Sequence, residues 1–248
     1  MARRSDLFYD ERFEGLLELQ NRIFGSNTLE YYNAKSKLST VKRWYNMVST
    51  PFDGRRSMKL LEKEAEEVNG MYRSSFIEAK AQAETKYNIF PFLTHAECVV
   101  VIMYIGELQR SFYKEYNEAC RDGIWEPYEV YTTHLMSALV KLAKENPLPQ
   151  GQSLYRGIRE KPGPLTVNQI FWKSFTSTSL KYEVAKEFAG RDGVVLEFQP
   201  PHSRYAARVG KLSPFPEEEV ILLPFEAFDV LNGKSFQFKT SKTQELLN

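Results

Sequence analysis

The chain lacks the features that mark disulfide-rich, membrane-spanning and metal-binding proteins. Only two cysteines occur among its 248 residues, Cys98 and Cys120, and they form no CxxC pair. This scarcity argues against a disulfide framework and favours a reducing compartment. The longest apolar run, from Cys98 to Ile105, is far shorter than the ~20 residues needed to cross a bilayer, so no membrane span is predicted. The three histidines are isolated in the sequence, and we therefore predict no metal site.

An excess of one charge is also missing. The chain has 33 basic and 32 acidic residues, which give a formal net charge of +1. Since a nucleic-acid-binding protein normally carries a basic surplus, no nucleic-acid partner is predicted. The first residues contain no apolar segment of the kind that a secretory signal requires. Together with the cysteine usage, this favours a cytoplasmic protein, with a secreted or delivered effector as the alternative.

Hydrophobic residues are plentiful, and their spacing before residue 151 is typical of helices. Asn69-Gly70 is a candidate helix break, and the acidic stretch 62–67 is interpreted as a solvated helix face. Thr94 and Glu97 have the spacing of a capping box that begins a buried helix. The predicted helices cover about 11–24, 28–48, 57–87, 98–105, 110–121 and a segment after Pro127.

After residue 151, strand patterns replace helical ones. Asn232-Gly233 lies between two alternating segments and predicts a hairpin. Helices followed by strands predict an α+β fold. The strand-like segments are 153–158, 172–180, 194–198, 220–223 and the hairpin pair of 225–230 with 235–239.

Three short segments in this second half carry polar residues beside strand patterns: Leu154–Gly157, Ser174–Ser179 and Phe215–Glu219. Taken singly, each has an ordinary interpretation, namely a surface arginine, a strand with a solvated hydroxyl face, and a solvated acidic loop. The third is unusual because its glutamates lead directly into a buried strand. In a strand Glu217 and Glu219 share one face, where two carboxylates repel each other and divide acid and base roles.

The three segments together indicate chemistry on a nucleotide. An arginine offers a planar fork that matches phosphate oxygens, and hydroxyls beside it can bond a carboxylate or a ribose. A carboxylate pair can stabilise an oxocarbenium-like sugar and activate an incoming nucleophile. A phosphate-binding arginine next to a sugar-cleaving carboxylate points to a nucleotide whose glycosidic bond is broken. NAD fits this description, because nicotinamide is a cationic leaving group.

The order and spacing of these motifs resemble the R-S-E class of mono-ADP-ribosyltransferases. The similarity runs from about Leu93 to Phe238, roughly 60% of the chain, and includes Ser213 before the glutamates. It implies the ADP-ribosyltransferase fold: two packed, mainly antiparallel sheets that form an NAD cleft, preceded by a helical region. We accordingly divide the chain into a helical N-terminal region of unassigned role, 1–90, and a catalytic domain with its helical lead-in, 91–248.

The resemblance also implies which residues bind NAD. Arg156 is expected to bind the NAD phosphates, and Gly157 to offer backbone hydrogen bonds to the nicotinamide carboxamide. Ser177 is expected to position the catalytic glutamate, Glu219, which would bind the ribose 2′-hydroxyl and stabilise the oxocarbenium-like transition state. Phe188 is a candidate for stacking on nicotinamide, with a core aromatic as the alternative. NAD is the co-substrate, and the choice between NAD and NADP stays open.

For the acceptor, the resemblance implies a protein with an accessible arginine. Glu217 is expected to orient and deprotonate this arginine, because a guanidinium is a poor nucleophile until a base takes its proton. Phe215 lies where the family has an aromatic residue for acceptor recognition, while Thr178 and Ser179 are expected to support the strand. Two alternatives stay open: an NAD glycohydrolase with water as the acceptor, and a non-catalytic NAD- or protein-binding module. The oligomeric state is not predicted.

Overall fold

The computed structural model describes residues 54–68, 70–106, 112–122, 124, 126–159, 169–172, 174–199, 206–213, 219–224, 226–232 and 237–240. The helices predicted at 11–24 and 28–48 lie outside these residues. The described α-helices are α1 (Gly54–Glu67), α2 (Gly70–Lys86), α3 (His95–Ile105), α4 (Phe112–Asp122), α5 (Glu129–Glu145) and α6 (Tyr182–Ala189). The described residues also include three short 3-10 turns, Tyr87–Ile89, Glu126–Tyr128 and Gly210–Leu212.

The helical half agrees with the sequence pattern. The break predicted at Asn69-Gly70 is confirmed, because α1 ends at Glu67 and α2 begins at Gly70. None of the described helices is both long and apolar enough to span a membrane. The sequence pattern does not predict α6, since eight residues are too few to establish a helical period.

The described strands are β1 (Leu154–Ile158), β2 (Gln169–Trp172), β3 (Thr176–Ser179), β4 (Val194–Gln199), β5 (Ala206–Arg208), β6 (Glu219–Leu222), β7 (Glu226–Asn232) and β8 (Gln237–Thr240). They form one hydrogen-bonded series in the order β2-β7-β8-β4-β1-β3-β6-β5. All neighbours are antiparallel except β4 and β8. The predicted hairpin is confirmed as β7 and β8.

This series consists of two groups of strands with a narrow connection. The first group is β2-β7-β8-β4-β1 and the second is β3-β6-β5, and their only aligned pair in the described residues is Tyr155 with Ser179. Apolar side chains from both groups share one core, to which Phe198 contributes from β4 and Val220 from β6. The two groups thus share a core but are hydrogen-bonded through β1 and β3 as one eight-stranded sheet in the described residues, rather than as two separate sheets, and the α+β fold is confirmed.

A second and larger core lies between the helices and the β3-β6-β5 group. Residues of β6 alternate between the two cores: Val220 and Leu222 face the inter-strand core, while Ile221 faces the helices. Phe175, just before β3, also joins the helical core. The helices thus pack against the face of β6 that carries Ile221, which is also the face of Glu219 and, by the β3–β6 register, of Ser177.

The capping box at the start of α3 is confirmed. The Thr94 hydroxyl accepts from the Glu97 amide at 3.2 Å, and the Glu97 carboxylate accepts from the Thr94 amide at 2.7 Å. Glu97 also accepts from Lys141 and Ser137 of α5. Burial raises the pKa of Glu97, but these hydrogen bonds and the charge of Lys141 hold it below its ordinary value. One short motif therefore both begins α3 and fastens it to α5.

The acidic stretch in α1 is not a uniformly solvated face, which corrects the interpretation from sequence. Glu64 is buried, and its two oxygens accept from the amides of Val130 and Tyr131 in the first turn of α5. The Tyr72 hydroxyl donates to the same carboxylate at 2.7 Å. A carboxylate at a helix N-terminus satisfies amides that have no partner within the helix.

Helices α1 and α2 share the helical core with α3 and α5, through Leu61, Phe76, Val101 and Leu139 among others. Helices α1 and α2 are thus packed directly against α3 and α5. The boundary placed at residue 90 stays a prediction.

Candidate active site

The candidate site lies where β1 and β3 separate. Their alignment consists of the single pair Tyr155 and Ser179. Arg156 bridges the gap beside this pair, because its Nη1 donates to the carbonyl oxygen of Ser177 at 2.9 Å. A guanidinium has five N–H donors, so this contact orients the fork while other donors stay available for a phosphate.

Ser177 and Glu219 occupy the same face of adjoining strands. The β3–β6 register places Ser177 opposite Ile221 and Ser179 opposite Glu219. Directly opposed residues of antiparallel strands point the same way, and residues two apart along a strand share a face. Ser177 is therefore the diagonal neighbour of Glu219, at a Cα separation of roughly 7–8 Å. The structure thus brings the predicted residues Arg156, Ser177 and Glu219 together on β1, β3 and β6.

Glu219 is held by two contacts from the turn that precedes β6. The Ser213 hydroxyl donates to Oε2 of Glu219 at 3.0 Å, and the Val209 amide donates to the Glu219 carbonyl at 3.1 Å. Ser213 is buried and Glu219 half-buried. The carboxylate is therefore oriented before any ligand arrives, as an electrostatic role in catalysis requires.

The two hydroxyls that follow Ser177 make structural contacts. Thr178 Oγ1 donates to the Val220 carbonyl at 2.7 Å, which ties β3 to β6. Ser179 Oγ accepts from the Lys181 amide at 3.0 Å, which shapes the turn into α6. These contacts favour the supporting role expected for both residues.

Gly157 is where α6 approaches β1. A Cβ at this position would lie 2.0 Å from the Ala185 carbonyl oxygen and 2.6 Å from the Ala189 amide nitrogen. Only a residue without a side chain allows this approach. The helix therefore lies directly on the strand that carries Arg156, and Gly157 has a packing reason in addition to its expected contact with nicotinamide.

Phe188 is exposed in the structure, with 60% of its surface accessible. A Cβ built at Gly157 would lie 3.0 Å from the Cβ of Phe188, so the Phe188 side chain begins next to β1, the strand that carries Arg156. A core aromatic would be buried, and this alternative is therefore wrong. An exposed aromatic ring beside the site is available for stacking on a planar ligand.

The residues expected to recognise the acceptor, Phe215 and Glu217, lie outside the described residues. Their roles stay predictions. The described residues contain no group of three or more His, Cys, Asp or Glu side chains that could hold a metal ion.

A buried polar pair lies behind the site, and the motif pattern does not reveal it. Asn117 Nδ2 donates to the Tyr104 hydroxyl at 3.1 Å, and both side chains are buried. Burial raises the pKa of Tyr104, while Asn117 and the Arg156 charge lower it and Glu219 raises it. The Tyr104 hydroxyl is therefore within electrostatic reach of both charged site residues. The residues lie on α3 and α4, where they read as ordinary helix positions, so no sequence signal marks them.

Comparison with known proteins places this geometry in a family. A family model described as NAD:arginine ADP-ribosyltransferase matches residues 53–244. The chicken (Gallus gallus) NAD(P)(+)–arginine ADP-ribosyltransferase 2 is 30% identical over 133 residues, which are 49% of this chain and 40% of the relative. The chain thus spans less than half the length of this curated relative.

Solved structures show the same fold. The eukaryotic mono-ADP-ribosyltransferase ART2.2, in a mutant complex with NAD, matches with a TM-score of 0.59 and 21% identity over 75% of this chain and 84% of that chain. HopU1 of Pseudomonas syringae matches with a TM-score of 0.52 and 18% identity over 74% of this chain and 95% of that chain. From the extent of the family match, the chain belongs to the NAD:arginine ADP-ribosyltransferase family.

Proposed function

We propose that the chain transfers ADP-ribose from NAD to an arginine of a protein acceptor and releases nicotinamide. The observation that carries this proposal is the meeting of Arg156, Ser177 and Glu219 on adjoining strands, with Arg156 bonded to Ser177. Family membership supports NAD as the substrate. The name of the chicken relative supports arginine as the acceptor.

The first step breaks the bond between ribose C1′ and the nicotinamide nitrogen. The electron pair of this bond leaves with the nitrogen, so the cationic nicotinamide ring departs as a neutral molecule. The ribose develops oxocarbenium character, and the carboxylate of Glu219 stabilises this positive charge. Arg156 binds the phosphates and holds the dinucleotide in place. Phe188 stacks on the nicotinamide ring.

The second step forms the bond to the acceptor. An arginine side chain is protonated at neutral pH, and Glu217 takes one proton from its guanidinium. The freed nitrogen electron pair then attacks C1′, and the proton ends on the Glu217 carboxylate. In this scheme Glu219 acts on the bond that breaks and Glu217 on the incoming arginine, so the two glutamates have separate roles in separate steps.

Two other functions use the same site. In an NAD glycohydrolase, water takes the place of the arginine nitrogen, and the first step is unchanged. In a non-catalytic binding module, NAD would bind and nicotinamide would stay attached. The three are separated by following nicotinamide and ADP-ribose independently.

The test incubates the purified chain with NAD labelled in both the nicotinamide and the adenine, with and without agmatine as the arginine analogue. We expect nicotinamide release and ADP-ribosylated agmatine from the wild type, and neither from Glu219→Gln. Nicotinamide release without any formation of ADP-ribosylated agmatine would favour the glycohydrolase. NAD binding without any release would favour the binding module and overturn the proposal.

A further inference from the structure

The last residue of helix α2 contacts a residue that is distant in the sequence. Lys86, the last residue of α2, donates from Nζ to the carbonyl oxygen of Leu212 at 3.1 Å. The two residues are 126 positions apart in the sequence. Lys86 is half-buried, whereas Leu212 is fully buried in the helical core. The contact therefore joins the end of the N-terminal helices to the turn that precedes β6.

This turn, which we call the 209–213 turn, is closed by its own hydrogen bonds. The Leu212 amide donates to the Val209 carbonyl at 3.0 Å, and the Ser213 amide donates to the Gly210 carbonyl at 3.0 Å. Gly210 has φ of +49°, in the left-handed region that glycine adopts without strain. The Leu212 carbonyl lies at the C-terminal end of the turn, where it accepts from Lys86.

The 209–213 turn holds Glu219 at two points. Val209 at its start donates to the Glu219 backbone, and Ser213 at its end donates to the Glu219 carboxylate. A displacement of the Leu212 carbonyl moves Ser213, because the two residues share a peptide bond. The contacts thus form a chain from Lys86 through Leu212 and Ser213 to the carboxylate.

We propose that Lys86 is a positioning residue for Glu219, acting through the 209–213 turn. This inference rests on the proposed function for its effect on catalysis, and it gives part of the N-terminal helical region a role in the active site. Lys86 touches neither substrate nor reacting atoms. Lys86 keeps the Ser213 hydroxyl hydrogen-bonded to Oε2 of Glu219.

The expected effect lies mainly on kcat. A carboxylate that stabilises developing charge contributes in the transition state, so its misplacement lowers kcat more than it raises KM. We expect Lys86→Met to lower kcat for nicotinamide release about fivefold, a small share of the up to ~100-fold loss that a 1 Å misplacement can cause. Lys86→Arg keeps a donor and should restore most of the activity. The acidic limb of the pH–rate profile should move to higher pH in Lys86→Met, because a hydrogen bond donated to a carboxylate favours its charged form.

Lys80→Met is the matched control. Lys80 lies on the same helix with similar exposure and pairs with Glu62, away from the turn. We expect its kcat and pH profile to match the wild type. Ser213→Ala is the positive control, since it directly removes the hydrogen bond from Ser213 to the Glu219 carboxylate. All rates are measured well below the Tm of every variant.

The decisive comparison is a double-mutant cycle. If Lys86 acts through Ser213, then Lys86→Met combined with Ser213→Ala should have the kcat of Ser213→Ala alone. Additive losses would contradict the inference, as would wild-type kcat in Lys86→Met or equal losses in Lys86→Met and Lys80→Met.

A second readout does not need activity. Hydrogen exchange of the Leu212 and Ser213 amides should be faster in Lys86→Met than in the wild type or Lys80→Met, because the turn opens more often. Unchanged exchange would overturn the inference even if the proposed function holds. A wild type that leaves NAD intact would refute the proposed function, while the exchange comparison would still decide whether Lys86 holds the turn.

Discussion

Replacing Gly157 by alanine places a methyl group where the backbone of α6 already lies. The new Cβ would be 2.0 Å from the Ala185 carbonyl oxygen, and ordinary contact begins at 3.4 Å, so α6 must retreat by about 1.4 Å. The obstructing atoms belong to helix backbone and cannot move aside as a flexible side chain would. Overpacking of this kind costs about 2 kcal/mol of unfolding free energy. For a domain of this size the Tm should fall by about 4–8 °C.

The same retreat carries Phe188 away from the proposed NAD site, so KM for NAD should rise along with the loss of stability. Thermal unfolding and nicotinamide-release kinetics measure the two effects. Gly70→Ala is the control, because a Cβ at Gly70 meets nothing within 4 Å, and we expect no loss of Tm there. Wild-type Tm and KM in Gly157→Ala would refute the close approach of α6 to β1.

Four further outcomes follow from the described contacts. Phe188→Ala should raise KM for NAD about fivefold, because stacking is worth about 1 kcal/mol. Its Tm should not change, because the ring is exposed. An unchanged KM would show that Phe188 does not contact NAD. Tyr104→Phe keeps the ring but removes the hydroxyl within reach of Arg156 and Glu219, and should lower kcat/KM about threefold, comparable to one neutral hydrogen bond; equal kinetics would make the hydroxyl purely structural. The pKa of Glu97 is lowered in the folded state, so its carboxylate stabilises the fold at pH values above the ordinary carboxyl pKa, and this stabilisation is lost as pH falls through the lowered value. Lys141→Met removes one cause of the lowering. The denaturant midpoint of Lys141→Met should therefore fall less between pH 6 and 3 than that of the wild type. Burial raises the pKa of Glu64 to about 7 in the folded protein, so the folded state binds this proton more tightly than the unfolded state. The free energy of unfolding should therefore decline as pH rises from 5 to 8. Glu64→Gln should abolish this decline, and the same decline in Glu64→Gln would contradict the assignment to Glu64.

Local signals in the sequence predict the parts of this structure that local interactions determine. Thr94 and Glu97 form the predicted capping box, since both partners lie within one helical turn. The strand that carries Arg156 and the strand that begins at Glu219 are found where the strand-like segments 153–158 and 220–223 are predicted. Their meeting in one site depends on the strand order, which periodicity does not predict; the family resemblance implies only that these residues act together.

Local sequence patterns do not predict contacts between segments that are distant in the chain. Glu64 belongs to an acidic run that looks solvated, and its burial depends on the first amides of α5, more than 60 residues later. Lys86 reads as an ordinary C-terminal helix lysine until the 209–213 turn is placed beside it. Gly157 is marked by the motif, but its close contact with α6 becomes visible only once that short helix is known.

We propose that Glu219 drives cleavage of NAD while Glu217 prepares the arginine acceptor. Nicotinamide release and ADP-ribosyl-agmatine formation are measured side by side in the wild type and Glu217→Gln. We expect Glu217→Gln to lose transfer to agmatine and to retain NAD hydrolysis, because only the acceptor step needs its carboxylate. Equal loss of both activities in Glu217→Gln would contradict the division of roles between Glu217 and Glu219.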